Sequence, residues 1–462
     1  AAGVAPAYQG GMAFIENKRL KGDSVMKDLL LIFPSPGGGN YINTFPPLGI
    51  LYLASFLEKE GFSVDVVDCA ADPFSARQAA GYKTVGVSLN ISNVESGTAL
   101  LNEINRLYPA VELVVGGPLP TVSPEVFFPL PLKAIFVSEA EESLLAYLRY
   151  PGEADNKGYY FRDGSGRWRF NGKRPYIKDL DKLPFPALNK LDIGKYYTPV
   201  RRSAPVSALI SSRGCPFECG FCCHVLGEEY RARSAENVVD EIEWQVKEIG
   251  TREIALYDDN FTLDRGRVME ICLRLLHRKI KVSLQLTNGV RADTLDEELL
   301  RTMKSAGVWM IALAPESGSG ATLARIHKRF AAREVEKGLS LCRRLGINTW
   351  VFFILGFPWE KEADFAATVK AACSTDADMV HFSRFVPLPG TPLYALSCPG
   401  IPSQGMRDAD LFSASGRSAL TARAYRSVYL RHPLRLLRLL RICPFLDIFR
   451  LILHAFKTRN VF

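Results

Sequence analysis

The chain has 462 residues, 47% of them hydrophobic and 23% charged, enough to build more than one core. Its net charge of +8 resides in residues 423–462, where eight Arg and one Lys face only Asp447; the neutral remainder argues against a nucleic-acid binder. No run of about 20 apolar residues is present to span a bilayer, and no charged leader opens the sequence, so the expected home is the cytoplasm.

Residues 1–27 read as an N-terminal extension. From 28 to 150 short apolar runs alternate with helical patterns: strands are expected at 29–33, 62–67, 84–88, 113–117 and 134–137, with helices from 47 to 57 and from 95 to 108. That alternation predicts an α/β, doubly wound, Rossmann-like domain, with ligands over the C-terminal strand ends and their glycine loops, such as Gly37-Gly38-Gly39. The crossover between Asp68 and Val85 is short, near the minimum of about ten to twelve residues. Residues 151–195, with Gly158, Gly164, Gly166, Gly172, Pro184 and Pro186, read as a linker.

From 196 to 398 the alternation resumes for six units, with strands expected at 206–211, 254–257, 282–286, 308–312, 348–354 and 379–385. The clearest helix has Ser234 as N-cap and Val238, Val239, Ile242, Val246 and Ile249 on one face. Six units predict a partial (β/α)6 barrel of TIM type, with its chemistry at the C-terminal rim. Residues 399–462 form a basic C-terminal region. Leu434, Leu436, Leu437, Leu439 and Leu440 alternate there with Arg435, Arg438 and Arg441, predicting a basic amphipathic helix pair broken at Pro444. Such a pair either caps the open barrel or lies on an anionic membrane, and capping is the preferred expectation.

Ten cysteines are too few for a disulfide scaffold in a chain this long, and four of them, at 215, 219, 222 and 223, crowd into one loop. Cys215, Cys219 and Cys222, with gaps of three and two residues, supply three thiolates, which leaves one iron of a 4Fe–4S cluster open to a substrate. Structural zinc is the alternative, and it requires a fourth ligand. Cys223 is expected to be structural, while His224 could compete as a ligand.

With Phe221 beside the third cysteine, this loop resembles the cluster motif of the radical S-adenosylmethionine (SAM) superfamily, and further landmarks follow in order. The resemblance implies SAM contacts from Phe221, from Asp258 and Asp259 after the second barrel strand, and from Arg291. It implies others from Glu316 and Ser317 after the fourth strand and from Gly356 after the fifth. Taken alone, each has a plainer explanation: a helix cap for the aspartates, a salt bridge for Glu316 or Arg291, and a turn for Gly356.

The N-terminal domain resembles the cobalamin-binding domain of class B members. Pro46-Pro47-Leu48-Gly49, Val115-Gly116-Gly117-Pro118 and Glu139-Ala140-Glu141-Glu142 carry that resemblance, which implies cobalamin contacts at Ser88, Gly116 and Gly117. Leu119 departs from the family's usual His, and all six histidines lie beyond this domain, so it offers cobalt no imidazole. The resemblance as a whole implies a cobalamin-dependent C-methyltransferase acting on an unactivated carbon of a small molecule or lipid. An external one-electron reductant such as flavodoxin or ferredoxin would serve it. The alternatives are cobalamin-free dehydration, rearrangement or ring formation, and, outside catalysis, an iron–sulfur electron carrier or sensor.

Overall fold

The structure, a computed structural model, describes residues 26–36, 45–150, 156–328, 332–397, 415–430 and 433–442. The expectations for residues 1–25, for the glycines at 37–39 and for Pro444 lie outside them.

The N-terminal elements are β1 (Lys27–Phe33), α1 (Leu48–Lys59), β2 (Val64–Asp68), β3 (Tyr82–Ser88), α2 (Val94–Leu107), β4 (Glu112–Gly116), α3 (Pro118–Val122), β5 (Ala134–Phe136) and α4 (Glu141–Arg149). The first five strands are parallel, in the order β2-β1-β3-β4-β5. β1 is apolar without alternation because both of its faces are covered: Leu29 and Leu31 join one core with α1, Leu30 and Ile32 another with α2. The short crossover is real. Between β2 and β3 stands only a 3-10 turn, Ala76–Gly81, entered through Ser75, whose N–H donates to Gln78.

The stretch expected to be a linker differs. Its first part is a hairpin, β6 (Tyr159–Arg162) and β7 (Trp168–Phe170), which adds two antiparallel strands to the sheet. Its second part runs back beneath α1, where Leu188 and Ile193 are buried and Tyr196 donates to Asp68 at 2.9 Å. In this second part Leu180, Leu183, Leu188 and Ile193 stand without a helical or strand period, so composition concealed this packing.

The barrel consists of β8 (Val206–Leu209), a small antiparallel pair β9 (Ser212–Arg213) and β10 (Arg231–Ala232), α5 (Ala235–Trp244), β11 (Glu253–Leu256), α6 (Arg265–His277), β12 (Ser283–Val290), α7 (Glu297–Ser305), β13 (Val308–Glu316), α8 (Gly320–Arg325), α9 (Ala332–Arg344), β14 (Asn348–Leu355), α10 (Glu362–Ser374), β15 (Met379–Arg384) and α11 (Pro392–Ser397). Six parallel strands run β8-β11-β12-β13-β14-β15, and the two ends do not pair, so the barrel is open. Ser234 caps α5 by accepting the Asn237 N–H at 3.1 Å. The outward strand residues, among them Ile254, Leu284, Ile311, Val351 and Phe353, form one core with the helices.

Two tail helices, α12 (Ser415–Leu430) and α13 (Pro433–Ile442), close the free edge. An open edge strand leaves backbone donors without partners. Here the Tyr429 hydroxyl takes the Val380 N–H at 3.0 Å and the Tyr425 hydroxyl takes that of Phe382 at 3.1 Å. Buried Arg435 donates to the carbonyls of Ala372, Cys373 and Thr375 at the end of α10, favourable chemistry for a helix C-terminus. The described part of the tail therefore caps the barrel, and α13 begins afresh at Pro433. No helix among the described residues is long and apolar enough to cross a membrane.

At the opposite, N-terminal end of the barrel, Glu253 is fully buried. It accepts the Arg202 and Ser203 N–H groups at 2.7 and 2.6 Å, Gln285 Nε2 at 3.0 Å and Trp309 Nε1 at 3.2 Å.

Two outcomes follow from this packing. Tyr425→Phe leaves the Phe382 N–H buried and unpaired, and is expected to cost about 1–3 kcal/mol in denaturant unfolding, with faster hydrogen exchange along β15. Burial raises the Glu253 pKa to about 7 against the donors around it. The folded state then keeps a proton that the unfolded chain releases from about pH 4.5 upward. Stability should fall by about 3 kcal/mol as pH rises from about 4.5 to about 7 and be flat beyond. Unfolding measured across that range should lose this slope in Glu253→Gln.

Candidate functional site

The cysteine loop leaves the barrel after β8 and is framed by β9 and β10. Gly214 opens it at φ +84, and a Cβ there would lie 2.2 Å from the Glu229 carbonyl oxygen, so only glycine fits. The loop's backbone is then tied down at several points. Cys215 N–H donates to Gly227 O at 3.2 Å, Cys222 N–H to Cys219 O at 3.0 Å, and Gly220 bonds both Ile326 and Leu393. Phe221 packs with Phe357, Leu393 and Ile326, anchoring the loop to the ends of α8 and α11.

Cys215, Cys219 and Cys222 are all free thiols. A hydrogen bond between the Cys219 and Cys222 thiols lowers the pKa of the first and raises that of the second. Among the described residues no three His, Cys, Asp or Glu side chains converge on a single-ion position. Three thiols on one loop are the donor set of a cluster with one open iron, whereas tetrahedral zinc requires a fourth ligand. Cys223 turns away, its sulfur 3.8 Å from Pro389 O, and His224 Nε2 is engaged 2.9 Å from Phe217 O.

The residues expected to meet SAM divide into two groups. Asp258 is buried and its carboxylate is taken by the loop, accepting Ser211 N–H at 2.7 Å, the Ser211 hydroxyl, and the Ser212 hydroxyl at 2.6 Å. This differs from the expectation of a ligand contact. Ser317 is likewise occupied, its hydroxyl 3.0 Å from Thr368 and receiving the Ser319 N–H. The N–H groups of Gly356 and Phe357 both donate to Glu360.

Asp259, by contrast, is exposed at the mouth and receives the Gly214 N–H; the surrounding protein mass and the Asp258 charge raise its pKa. Arg291 stacks 3.9 Å over the Phe217 ring and is bidentate to Asp293. Glu316 holds a left-handed φ of +67, rare outside glycine and concentrated at functional sites. It is buried and paired with Lys328 at 3.0 Å. Lys328, which the sequence did not single out, stands where its charge favours the thiolates of Cys219 and Cys222. The one available signal was a Lys following the Glu316 turn, and surface helices end in Lys routinely.

On the N-terminal sheet, Ser88, Gly116 and Gly117 end β3 and β4 side by side and are partly exposed. Gly117, at φ +104, is required by the fold itself: a Cβ would lie 2.8 Å from Leu89 O and 3.0 Å from the Ser88 hydroxyl. A Cβ at Gly116 would meet only Phe136, at 3.5 Å. This edge fits a ligand that approaches bare backbone, and it holds no imidazole. It also touches the barrel, since Val122 of α3 packs within 3.2 Å of where a Gly390 Cβ would stand, beside the Pro389 that contacts Cys223. Both candidate sites therefore border one turn.

Two family models match the chain: the radical SAM superfamily over residues 209–372 and the B12 binding domain over residues 36–148. The chain is 29% identical over 438 residues to an uncharacterized methyltransferase of Pyrococcus horikoshii, covering 88% of this chain and 93% of that protein. It is 27% identical over 386 residues to an anaerobic magnesium-protoporphyrin IX monomethyl ester cyclase of Rubrivivax gelatinosus, covering 79% and 69%. Its fold is like that of the solved radical SAM methyltransferase TsrM from Kitasatospora setae with cobalamin and a [4Fe–4S] cluster bound. The TM-score is 0.69 and the identity 18%, covering 86% of this chain and 91% of that one.

The split between the two aspartates is directly testable. Asp258→Ala removes the acceptor of three loop donors and is expected to lower iron retained after anaerobic reconstitution. Asp259→Ala should keep the iron and instead weaken SAM binding, read as loss of the SAM-induced change in the reduced cluster's electron paramagnetic resonance (EPR).

Proposed function

We propose, on the premise of a radical SAM domain preceded by a B12-binding domain, that the chain methylates an unactivated carbon of a small molecule or lipid. The observation that carries this reading is the shared turn at 389–390, which sets the ligand edge of the N-terminal sheet beside the cysteine loop. When bound, the cluster and SAM supply a 5′-deoxyadenosyl radical and cobalamin supplies a transferable methyl group.

The chain's own residues bind and orient. Cys215, Cys219 and Cys222 hold iron, and Phe221 wedges their loop into the apolar cluster behind it. Asp259 faces the ammonium group of SAM, while Arg291 and Lys328 offer positive charge to its carboxylate. Glu316, Ser317 and Gly356 shape the wall for the nucleoside, with the Ser317 hydroxyl already engaged with Thr368 and the Gly356 N–H with Glu360. Ser88, Gly116 and Gly117 receive the corrinoid. Electrons come from a flavodoxin- or ferredoxin-type donor in a reducing cytoplasm. Arg423, Arg435 and Arg438 are spent on Glu362, the end of α10 and Asp376, which favours capping over membrane contact.

A second reading, radical ring formation, is favoured by the β2–β3 crossover, which has no α-helix, and by the similarity to the cyclase. Products separate the two. Reconstituted protein given SAM, a one-electron reductant and hydroxocobalamin should form S-adenosylhomocysteine as well as 5′-deoxyadenosine; 5′-deoxyadenosine alone would turn the assignment to ring formation. Cys215→Ala, Cys219→Ala and Cys222→Ala should each abolish both products and lose iron, whereas Cys223→Ala should keep its iron. Equal iron loss in Cys223→Ala would sink the ligand assignment.

A further inference from the structure

The N-terminal sheet and the cysteine loop are joined by four buried charges. Arg213 reaches Glu139 at 3.0 Å and Glu141 at 2.7 Å, and Arg231 reaches Glu139 at 2.9 Å, with no side chain of the group more than 7% exposed. Arg213 and Arg231 are cross-strand partners in the β9–β10 pair, where like charges repel. Glu139, bonded to both, offsets that repulsion. Arg231 also donates to Ile177 O at 2.6 Å and Leu226 O at 2.7 Å, while the Ile177 N–H donates to Glu139 at 2.8 Å. The clamp is charge-balanced and directional, and apolar packing would have joined the two domains without fixing their register.

Each end of the clamp leads to a candidate site. On one side only Gly214 separates Arg213 from Cys215. The Tyr176 ring, 4.8 Å from the Arg231 guanidinium, abuts Gly227, whose carbonyl accepts the Cys215 N–H. On the other side, Glu139 follows Ser138, a non-glycine residue at φ +62. The Ser138 N–H donates to the Thr121 hydroxyl at 2.9 Å, and that hydroxyl donates to Gly117 O at 2.8 Å. An unbroken run of bonds thus joins the glycine turn of the sheet edge to the first cysteine.

We propose that Glu139 and Glu141 are positioning residues that, through Arg213 and Arg231, couple occupancy of the sheet edge to the placement of the cysteine loop. The coupling rests on the reading that the loop holds the cluster and the edge holds a corrinoid. It makes SAM binding at the cluster depend on the corrinoid, and by linkage the corrinoid on SAM.

Full-length protein, reconstituted anaerobically, is titrated with SAM with and without hydroxocobalamin. The cluster's EPR signal, separated from cob(II)alamin by its faster relaxation, reports binding. In the parent protein hydroxocobalamin should shift the SAM midpoint about fivefold. Glu139→Gln should keep its iron and its hydroxocobalamin absorbance but lose that shift. Glu141→Gln, which strips only the contact to Arg213, should lose part of it and serves if the first variant does not accumulate. A full shift in iron-replete variants, or none in the parent, overturns the proposal. A parent protein without iron, seen separately in the metal assay, brings down the cluster assignment and the coupling with it.

Discussion

Four buried charges bind the two halves of this molecule, and the placement of the cysteine loop depends on them. Two guanidinium groups brought face to face on a two-residue strand pair could not persist without Glu139 and Glu141. Burial opposes the charge on Arg213, but the two carboxylates outweigh it and hold its pKa above the usual value. Since those carboxylates belong to the N-terminal domain, the loop of the barrel is completed by a neighbour. Removing a carboxylate while the domains stay packed would leave a buried arginine uncompensated, a state that costs several kcal/mol per ion.

The other open side of the barrel meets the same problem with different chemistry. There the unpaired groups are backbone donors on β15, and tyrosine hydroxyls from α12 meet them. Arg435 completes α10 by the same logic, so a basic stripe that could also suit an anionic membrane serves as a cap, the preferred expectation. A basic amphipathic pattern fixes which side is apolar. What that side faces depends on whether the fold leaves an edge exposed, as six strands do and eight would not.

Both sheets were legible because their strands are short β-branched or leucine runs bounded by glycine and proline, and burial on both faces removes any confusion with a surface helix. The cysteine loop stood out because three cysteines at gaps of three and two residues suit a cluster with one open iron. Less visible was which polar atoms remain free. Asp258 and Asp259 are neighbours of identical chemistry, yet one is buried against Ser211 and Ser212 and the other is exposed and takes the Gly214 N–H, a distinction set by loop residues 46 and 47 positions before Asp258. Glu139 stood inside a recognisable motif, but its partner Arg213 lies 74 residues on. The hairpin β6–β7 escaped although Tyr159-Tyr160-Phe161 and Trp168-Arg169-Phe170 flank an Asp163-Gly164-Ser165-Gly166 turn, because the glycines read as linker composition rather than as a hairpin turn.

The loop's internal bonding bears on how the cofactor is acquired. Gly214 is moulded to Glu229, Cys215 and Cys222 are bonded through their N–H groups, Gly220 is held on both sides, and Asp258 fastens the entry. None of these bonds involves a sulfur atom, so all three thiols are left to their ligand role. In a small zinc domain the metal supplies the folding free energy and its loss unfolds the chain. Here burial, ion pairing and backbone bonding brace the loop that carries the thiols. The geometry of the loop answers to the elements that brace it, the N-terminal domain foremost.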